Sequence, residues 1–262
     1  MTSFTKAKKS LGQNFLMHAR IAERIAMVSE LSSSDVAFEI GPGTGMLTRE
    51  LLKRAKKVIA LEADQELFEK LQTDFADDIA NGRLELVHGD IRTFDIGSLP
   101  KGYAIVANIP YYLTGEIFRM FLETENQPIS MTLLVQKEVA GRVAQSKKES
   151  ILSLSVKAYG TPKREFVVPS GAFIPAPKVD SAVLTIRNIS KKNFKTRTDE
   201  ERFFAIVRAG FAHKRKFVLK NLAEAGLFSE KMRSRLEKLS ISAKARAEDL
   251  PLPVWLDIAR EE

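Results

Sequence analysis

Asn108-Ile109-Pro110-Tyr111 packs two hydrogen-bond acceptors and an aromatic ring into four consecutive residues. The Asn108 side-chain oxygen and the backbone carbonyl of Ile109 or Pro110 can each accept one hydrogen from an exocyclic amine. Such an amine, N6 of adenine for example, is a poor nucleophile because its lone pair is delocalised into the ring. Two hydrogen bonds of this kind favour a pyramidal nitrogen and aim its lone pair at an electrophile. Positioning and electrostatics then supply the catalysis, and no side chain of tuned pKa is needed to begin attack. Tyr111 offers a ring on which a base that has left its stack can rest. An Asn-x-Pro segment is also a common way to end a strand. That plainer reading accounts for the proline but not for the aromatic pair Tyr111-Tyr112.

The electrophile needs its own site, and a glycine-rich turn upstream offers one. The apolar run Val36–Ile40 leads into Gly41-Pro42-Gly43-Thr44-Gly45, followed by a helical pattern. Glycine at such a turn lets the main chain approach a ligand closely, and in open α/β sheets ligands bind at the carboxyl ends of the strands. Glu62 follows about 20 residues on, at the end of the next strand, where a carboxylate can hold ribose hydroxyls. Asp90 ends the strand after that. Either carboxylate alone could be a solvated strand end; together with the loop they favour a nucleoside site. The spacing Gly41-x-Gly43-x-Gly45 departs from the dinucleotide form G-x-G-x-x-G and resembles the loop of class I methyltransferases, whose cofactor has no pyrophosphate to cradle. A second aromatic candidate, Phe173, precedes the stiff stretch Pro175-Ala176-Pro177 and could close the opposite face of a base. A core phenylalanine is the equal alternative.

The elements that must position these residues are short apolar runs separated by helical patterns. Strands are expected at Val36–Ile40, Val58–Leu61, Leu84–Val87, Ala104–Ala107, Thr132–Val135 and Val183–Ile186, and helices at Met46–Arg54 and Gln65–Asp78. This alternation predicts an α/β fold, a parallel sheet covered by helices on both faces. Ile21, Ile25 and Val28 suggest an amphipathic helix after a basic N-terminal arm. After about residue 187 strand signals stop, and helices are expected at Glu200–Phe211, Arg215–Ala225, Glu230–Lys238 and Pro253–Arg260. The expected division is a catalytic domain over 1–187 and a small helical domain over 188–262.

Charge separates the two halves further. The 262 residues carry a net +8. From residue 188 on there are 17 basic and 11 acidic residues, a net +6, which leaves +2 for the rest. A basic segment on a nearly neutral body is the footprint of a nucleic-acid binder, although a solvated helix surface gives the same count. The chain has no cysteine and three separated histidines, so no metal site is expected, and a reducing cytosol suits it. No apolar run is long enough for a bilayer, so no membrane partner is expected.

Taken in order, Leu11-Gly12-Gln13-Asn14-Phe15-Leu16, the loop at Gly41, Glu62, Asp90, Asn108–Tyr111, Gln136–Ala140 and Phe173–Ser181 resemble the ribosomal RNA adenine dimethyltransferase family over nearly the whole chain. The tetrapeptide resembles the Asn-Pro-Pro-Tyr motif of amino-group methyltransferases. The resemblance implies a class I, Rossmann-like methyltransferase sheet and S-adenosyl-L-methionine as cofactor. It implies that Gln13, Asn14 and Leu16 close over the cofactor while Gly41, Gly43, Glu62, Asp90 and Asn108 line it. Asp90 would meet the adenine amine of the cofactor, and Asn108, Pro110, Tyr111 and Phe173 would serve the target base.

Within the family, Pro177–Ser181 and the basic Phe211–Lys216 resemble the small-subunit enzymes. That implies dimethylation of two adjacent adenines near the 3′ end of 16S rRNA in a small-subunit particle, with Lys178, Lys214, Arg215 and Lys216 contacting RNA. A monomer is expected. Ile109 stands where leucine is usual, a volume-conserving change, and His213 where glutamine is usual. Erythromycin-resistance enzymes acting on 23S rRNA, a ribosome assembly factor with secondary methylation, and a DNA adenine methyltransferase are the alternatives.

Overall fold

The computed structural model describes Lys8 and residues 11–260; the basic N-terminal arm otherwise lies outside the described residues. The chain divides into two compact units, one of residues 1–140 and 162–189, the other of 141–161 and 190–262.

The first unit is built on a sheet. In chain order it comprises β1 (Phe15–Leu16), α1 (Ala19–Val28), β2 (Val36–Ile40), α2 (Met46–Leu52), β3 (Lys57–Glu62), α3 (Gln65–Asp74), α4 (Ala76–Ala80), β4 (Leu84–His88), β5 (Ala104–Asn108), α5 (Thr114–Leu122), β6 (Ser130–Gln136), the first half of α6 (Lys137–Ala144), β7 (Thr161–Val168), β8 (Phe173–Ile174) and β9 (Ser181–Arg187). Seven strands form one sheet in the order β4-β3-β2-β5-β6-β9-β7, and β1 pairs with β8 in a small second one. From β4 through to β6 the pairings are parallel. Helices cover both faces. That is why β2, β3, β5 and β6 are buried along almost their whole length and read as unbroken apolar runs. The all-parallel expectation fails at one edge, because β9 runs antiparallel to β6. The apolar run of β9 reveals a buried strand but not its direction.

Two further differences have physical causes. The helix expected over 65–78 breaks at Phe75, whose φ of −121° and ψ of 25° leave the helical region. β7 is polar over Thr161–Glu165, and its apolar stretch Phe166-Val167-Val168 is too short to mark a strand by itself. It stands last in the sheet order, where charge and proline suit an exposed strand.

The strand order reverses between β2 and β5: β3 and β4 lie to one side, β6 to the other. Such a switch point opens a crevice at the carboxyl ends of the strands. The glycine loop leaves β2 there and the tetrapeptide leaves β5 there.

The second unit contains α7 (Ile151–Lys157), α8 (Arg197–Gly210), α9 (Val218–Glu224), α10 (Glu230–Lys238) and α11 (Leu252–Ala259). It draws on two stretches of chain rather than on the single one expected from residue 188. The packing of α7 leaves no mark on composition. α7 and α8 each begin with a reciprocal cap, Ser150 with Ser153 and Thr196 with Asp199. Trp255 is fully buried, donates its indole N–H to the Leu250 carbonyl at 3.0 Å and stacks on Phe211. Tyr159 packs against Phe194 and Phe204 and hydrogen-bonds the buried Glu200. The helix expected from Arg215 starts at Val218, so Lys214, Arg215 and Lys216 sit in the turn before it.

Candidate active site

At the switch point a cleft opens between the glycine loop and the tetrapeptide. Gln13, Asn14, Leu16, Gly41, Gly43, Glu62, Asp90, Asn108, Pro110 and Tyr111 all line it. Residues up to 98 positions apart in the chain therefore converge because their strands end side by side.

The glycine loop meets two demands. Gly41 has φ +67°, and a Cβ there would meet nothing within 4 Å, so its requirement is the backbone conformation alone. Gly45, with φ +75°, also lacks room, since a Cβ would stand 2.5 Å from the Phe75 ring. The loop is tied to the next strand end by Glu62, which is 4% exposed. Its two carboxylate oxygens accept the backbone N–H of Gly43 at 3.0 Å and of Asp64 at 2.9 Å. Burial pushes the Glu62 carboxyl above its ordinary value, against the pull of those hydrogen bonds. One lone pair on each oxygen remains for a ligand.

Asn108 ends β5. Its Nδ2 donates to the Asn14 carbonyl at 3.0 Å, which leaves Oδ1 as the end of the amide without that commitment. Tyr111 is half-buried, and its hydroxyl and Ser181 Oγ lie 2.6 Å apart, which pins the ring between β5 and β9. Burial also raises the Tyr111 phenol. Tyr112 is exposed and covers Gly12, where a Cβ would come within 2.9 Å of its ring. Asp90 forms a salt bridge with Arg92 at 2.6 Å, and these hydrogen bonds hold its carboxyl below the usual range.

Phe173 stands apart from this group. It is 2% exposed, sits opposite Leu16 in the β1–β8 pairing and belongs to the hydrophobic core, so its ring does not line the cleft. Pairing across two short strands fixes that orientation, which the sequence had left open.

Glu39 is a site residue that sequence reasoning passed over. It lies inside β2, 1% exposed, and lines the cleft floor. Burial pushes its carboxyl up to about 8, opposed by a 2.7 Å hydrogen bond from Thr48 Oγ1 and reinforced by Glu62. The available signal was an acid within an apolar strand, since a buried carboxyl needs either a partner or a proton.

The basic candidates differ among themselves. Lys178 is exposed in the segment between β8 and β9. In the second unit Lys216 is committed to Glu224 at 2.8 Å, while exposed Lys214 and Arg215 form no salt bridge among the described residues. Among the described residues no group of three or more His, Cys, Asp or Glu could hold a metal ion, and no helix is long and apolar enough to cross a membrane.

Comparison with known proteins agrees with this geometry. The profile of the ribosomal RNA adenine dimethylase family matches residues 4–261. A ribosomal RNA small subunit methyltransferase A from Dehalococcoides mccartyi is 40% identical over 98% of this chain and 88% of its own length. The one from Fusobacterium nucleatum is 35% identical over 97% of both chains. Among solved structures, the 23S rRNA methyltransferase ErmE superposes with a TM-score of 0.78 at 26% identity, covering 94% of this chain and 98% of its own. A dimethyladenosine transferase from Plasmodium falciparum, at 24% identity and a TM-score of 0.79, covers 93% and 95% and shares the fold. A match along almost the entire chain, with both the glycine loop and the Asn108 tetrapeptide inside it, places this protein in the ribosomal RNA adenine dimethylase family.

Proposed function

We propose that this chain transfers methyl groups from S-adenosyl-L-methionine to N6 of two adjacent adenines near the 3′ end of 16S rRNA, two methyls to each. The observation that carries this reading is the sharing of one cleft by the glycine loop, Glu62 and Asn108–Tyr111. The substrate is drawn from relatives at 35% and 40% identity, both named small-subunit methyltransferases. Their similarity outweighs the 26% identity to ErmE, which favours the small subunit over 23S rRNA.

The residues fit the cofactor. Gly41 leaves open space where a Cβ would stand, and Glu62 keeps lone pairs suited to ribose hydroxyls. When bound, S-adenosyl-L-methionine supplies a methyl made electrophilic by its sulfonium. Gln13, Asn14 and Leu16 would close over that site, Gly43 would shape the loop, and Asp90 would hold the adenine end of the cofactor. Asn108 Oδ1 and the backbone carbonyl beside Pro110 accept the two N6 hydrogens, and Tyr111 supports the base. After the first transfer one N–H remains, so one acceptor must tolerate a methyl in place of its hydrogen. Phe173 would have to leave the core to serve the base.

We assign the sheet unit to cofactor binding and catalysis and the helical unit to RNA contact, with Lys178 of the former and Lys214, Arg215 and Lys216 of the latter on phosphates. The expected partner is 16S rRNA within a small-subunit particle, met by a monomer in the cytoplasm. Incubating the protein with small-subunit particles from a strain lacking the enzyme, then mapping methylated adenines by mass, tests this. Two adjacent dimethyladenosines are expected; labelling of naked 23S rRNA or of duplex DNA instead would overturn the assignment.

A further inference from the structure

A chain of hydrogen bonds crosses the cleft from the end of β3 to the end of β5. Asp64, whose side chain is 1% exposed, stands at its start. Oδ1 accepts Lys8 Nζ at 2.9 Å and the backbone N–H of Glu66 at 3.0 Å, the latter capping α3. Oδ2 accepts Gln13 Nε2 at 3.1 Å. The other end of the Gln13 amide, Oε1, accepts the Lys8 backbone N–H at 2.7 Å. Both ends of Gln13 are thus occupied within the protein, which makes it a fastener for the segment over the cleft rather than a contact offered to a ligand. One residue further on, the Asn14 carbonyl accepts Asn108 Nδ2 at 3.0 Å.

That last bond decides which end of the Asn108 amide faces the target. With Nδ2 held by a carbonyl, Oδ1 is presented. If the amide turned over, an N–H donor would meet the N–H donors of the substrate amine, and the acceptor would be lost. The Asp64–Gln13 bond fastens the chain on one side of Asn14, and the β1–β8 pairing at Phe15 holds it on the other.

We propose that Asp64 is a positioning residue for methyl transfer: by fastening Gln13 it holds the Asn14 carbonyl where it orients the Asn108 amide. This rests on the reading of Asn108 as the acceptor of the N6 hydrogens. Asp64 itself touches neither the target base nor the transferred methyl.

The test separates this role from simple helix capping. Asp64→Asn keeps a good N-cap for α3 but turns an amide donor toward Gln13 Nε2. Gln13→Glu sets two carboxylates against each other. Each variant is expected to lower kcat on small-subunit particles about tenfold with KM for the particles nearly unchanged, since a small misplacement at the reacting centre is costly in rate. The double variant restores a donor facing an acceptor and should recover most of kcat. A purely structural Asp64 predicts a wild-type kcat for Asp64→Asn and no recovery in the double variant; either result overturns the proposal. Melting temperatures measured alongside must stay near wild type for the losses to count in its favour, and losses that track falling stability count against it. If wild-type protein transfers no methyl, the functional reading itself fails; if it does and Asn108→Ala does not, while both single variants match wild type, only the positioning role is lost.

Discussion

The cleft and the basic turn before α9 hold their functional candidates in opposite ways. In the cleft almost every polar group is already engaged: Glu62 by two backbone N–H groups, Asn108 by the Asn14 carbonyl, Tyr111 by Ser181, Asp90 by Arg92. In the turn, Lys214 and Arg215 project into solvent, and only their neighbour Lys216 has an acidic partner at hydrogen-bonding distance. Preorganised dipoles suit a transition state, because the orientation cost is met before the reaction. Exposed cations suit a phosphate backbone, where attraction is long-ranged and tolerates many geometries. The first region should therefore respond steeply to one atom, the second gradually to charge and salt.

The sharpest way to break that contrast is Asn108→Ala. Methyl transfer should fall by at least ~10² while particle binding stays close to wild type, as loss of one preorganised partner predicts. Single-turnover assays beside equilibrium binding would show it, and unchanged turnover would remove Asn108 from the mechanism.

Glu39→Gln probes burial in the same cleft. The native carboxyl titrates near 8 against 4.5 for the ordinary group, so between those values the folded protein holds a proton that the unfolded chain has released. Stability should fall as pH rises through that window, and glutamine should abolish this part of the fall. Melting curves should show the variant several degrees more stable than wild type near pH 9 and similar near pH 4.5; parallel curves would count against a buried protonated acid.

For the basic turn, replacing Lys214 and Arg215 together with alanine should weaken particle binding about tenfold and reduce the salt slope by about two, one for each lost phosphate contact. kcat at saturation should hold. The smallest effect is expected for Tyr111→Phe, which loses the Ser181 hydrogen bond but keeps the ring; a fall of only a few-fold in kcat/KM would separate stacking from ring anchoring.

How far the sequence could be read depended on sequence distance. The glycine loop, Glu62, Asp90 and Asn108 each end an apolar run, so the strands announce where they lie. The Asp64–Gln13, Tyr111–Ser181 and Asn108–Asn14 bonds join residues 51, 70 and 94 positions apart. No local pattern encodes such pairs. Phe173 was ambiguous for the same reason, since β1 and β8 are two residues long and carry no periodicity of their own. Glu39 was legible in principle, as an acid that its strand could bury only at a cost.

The excursion that leaves the first unit after Ala140, builds α7 and returns at Pro162 has a practical consequence for dissecting the molecule. A fragment beginning at Ser190 would carry Phe194, Phe204 and Glu200 without Tyr159, the ring and hydroxyl they pack against. A truncation at the same place would leave α7 stranded on the other piece. The chain passes between the units three times, so neither half can be released by one cut. Gene fusions or split-protein designs that treat the basic end as a detachable tail should yield aggregation rather than a working module.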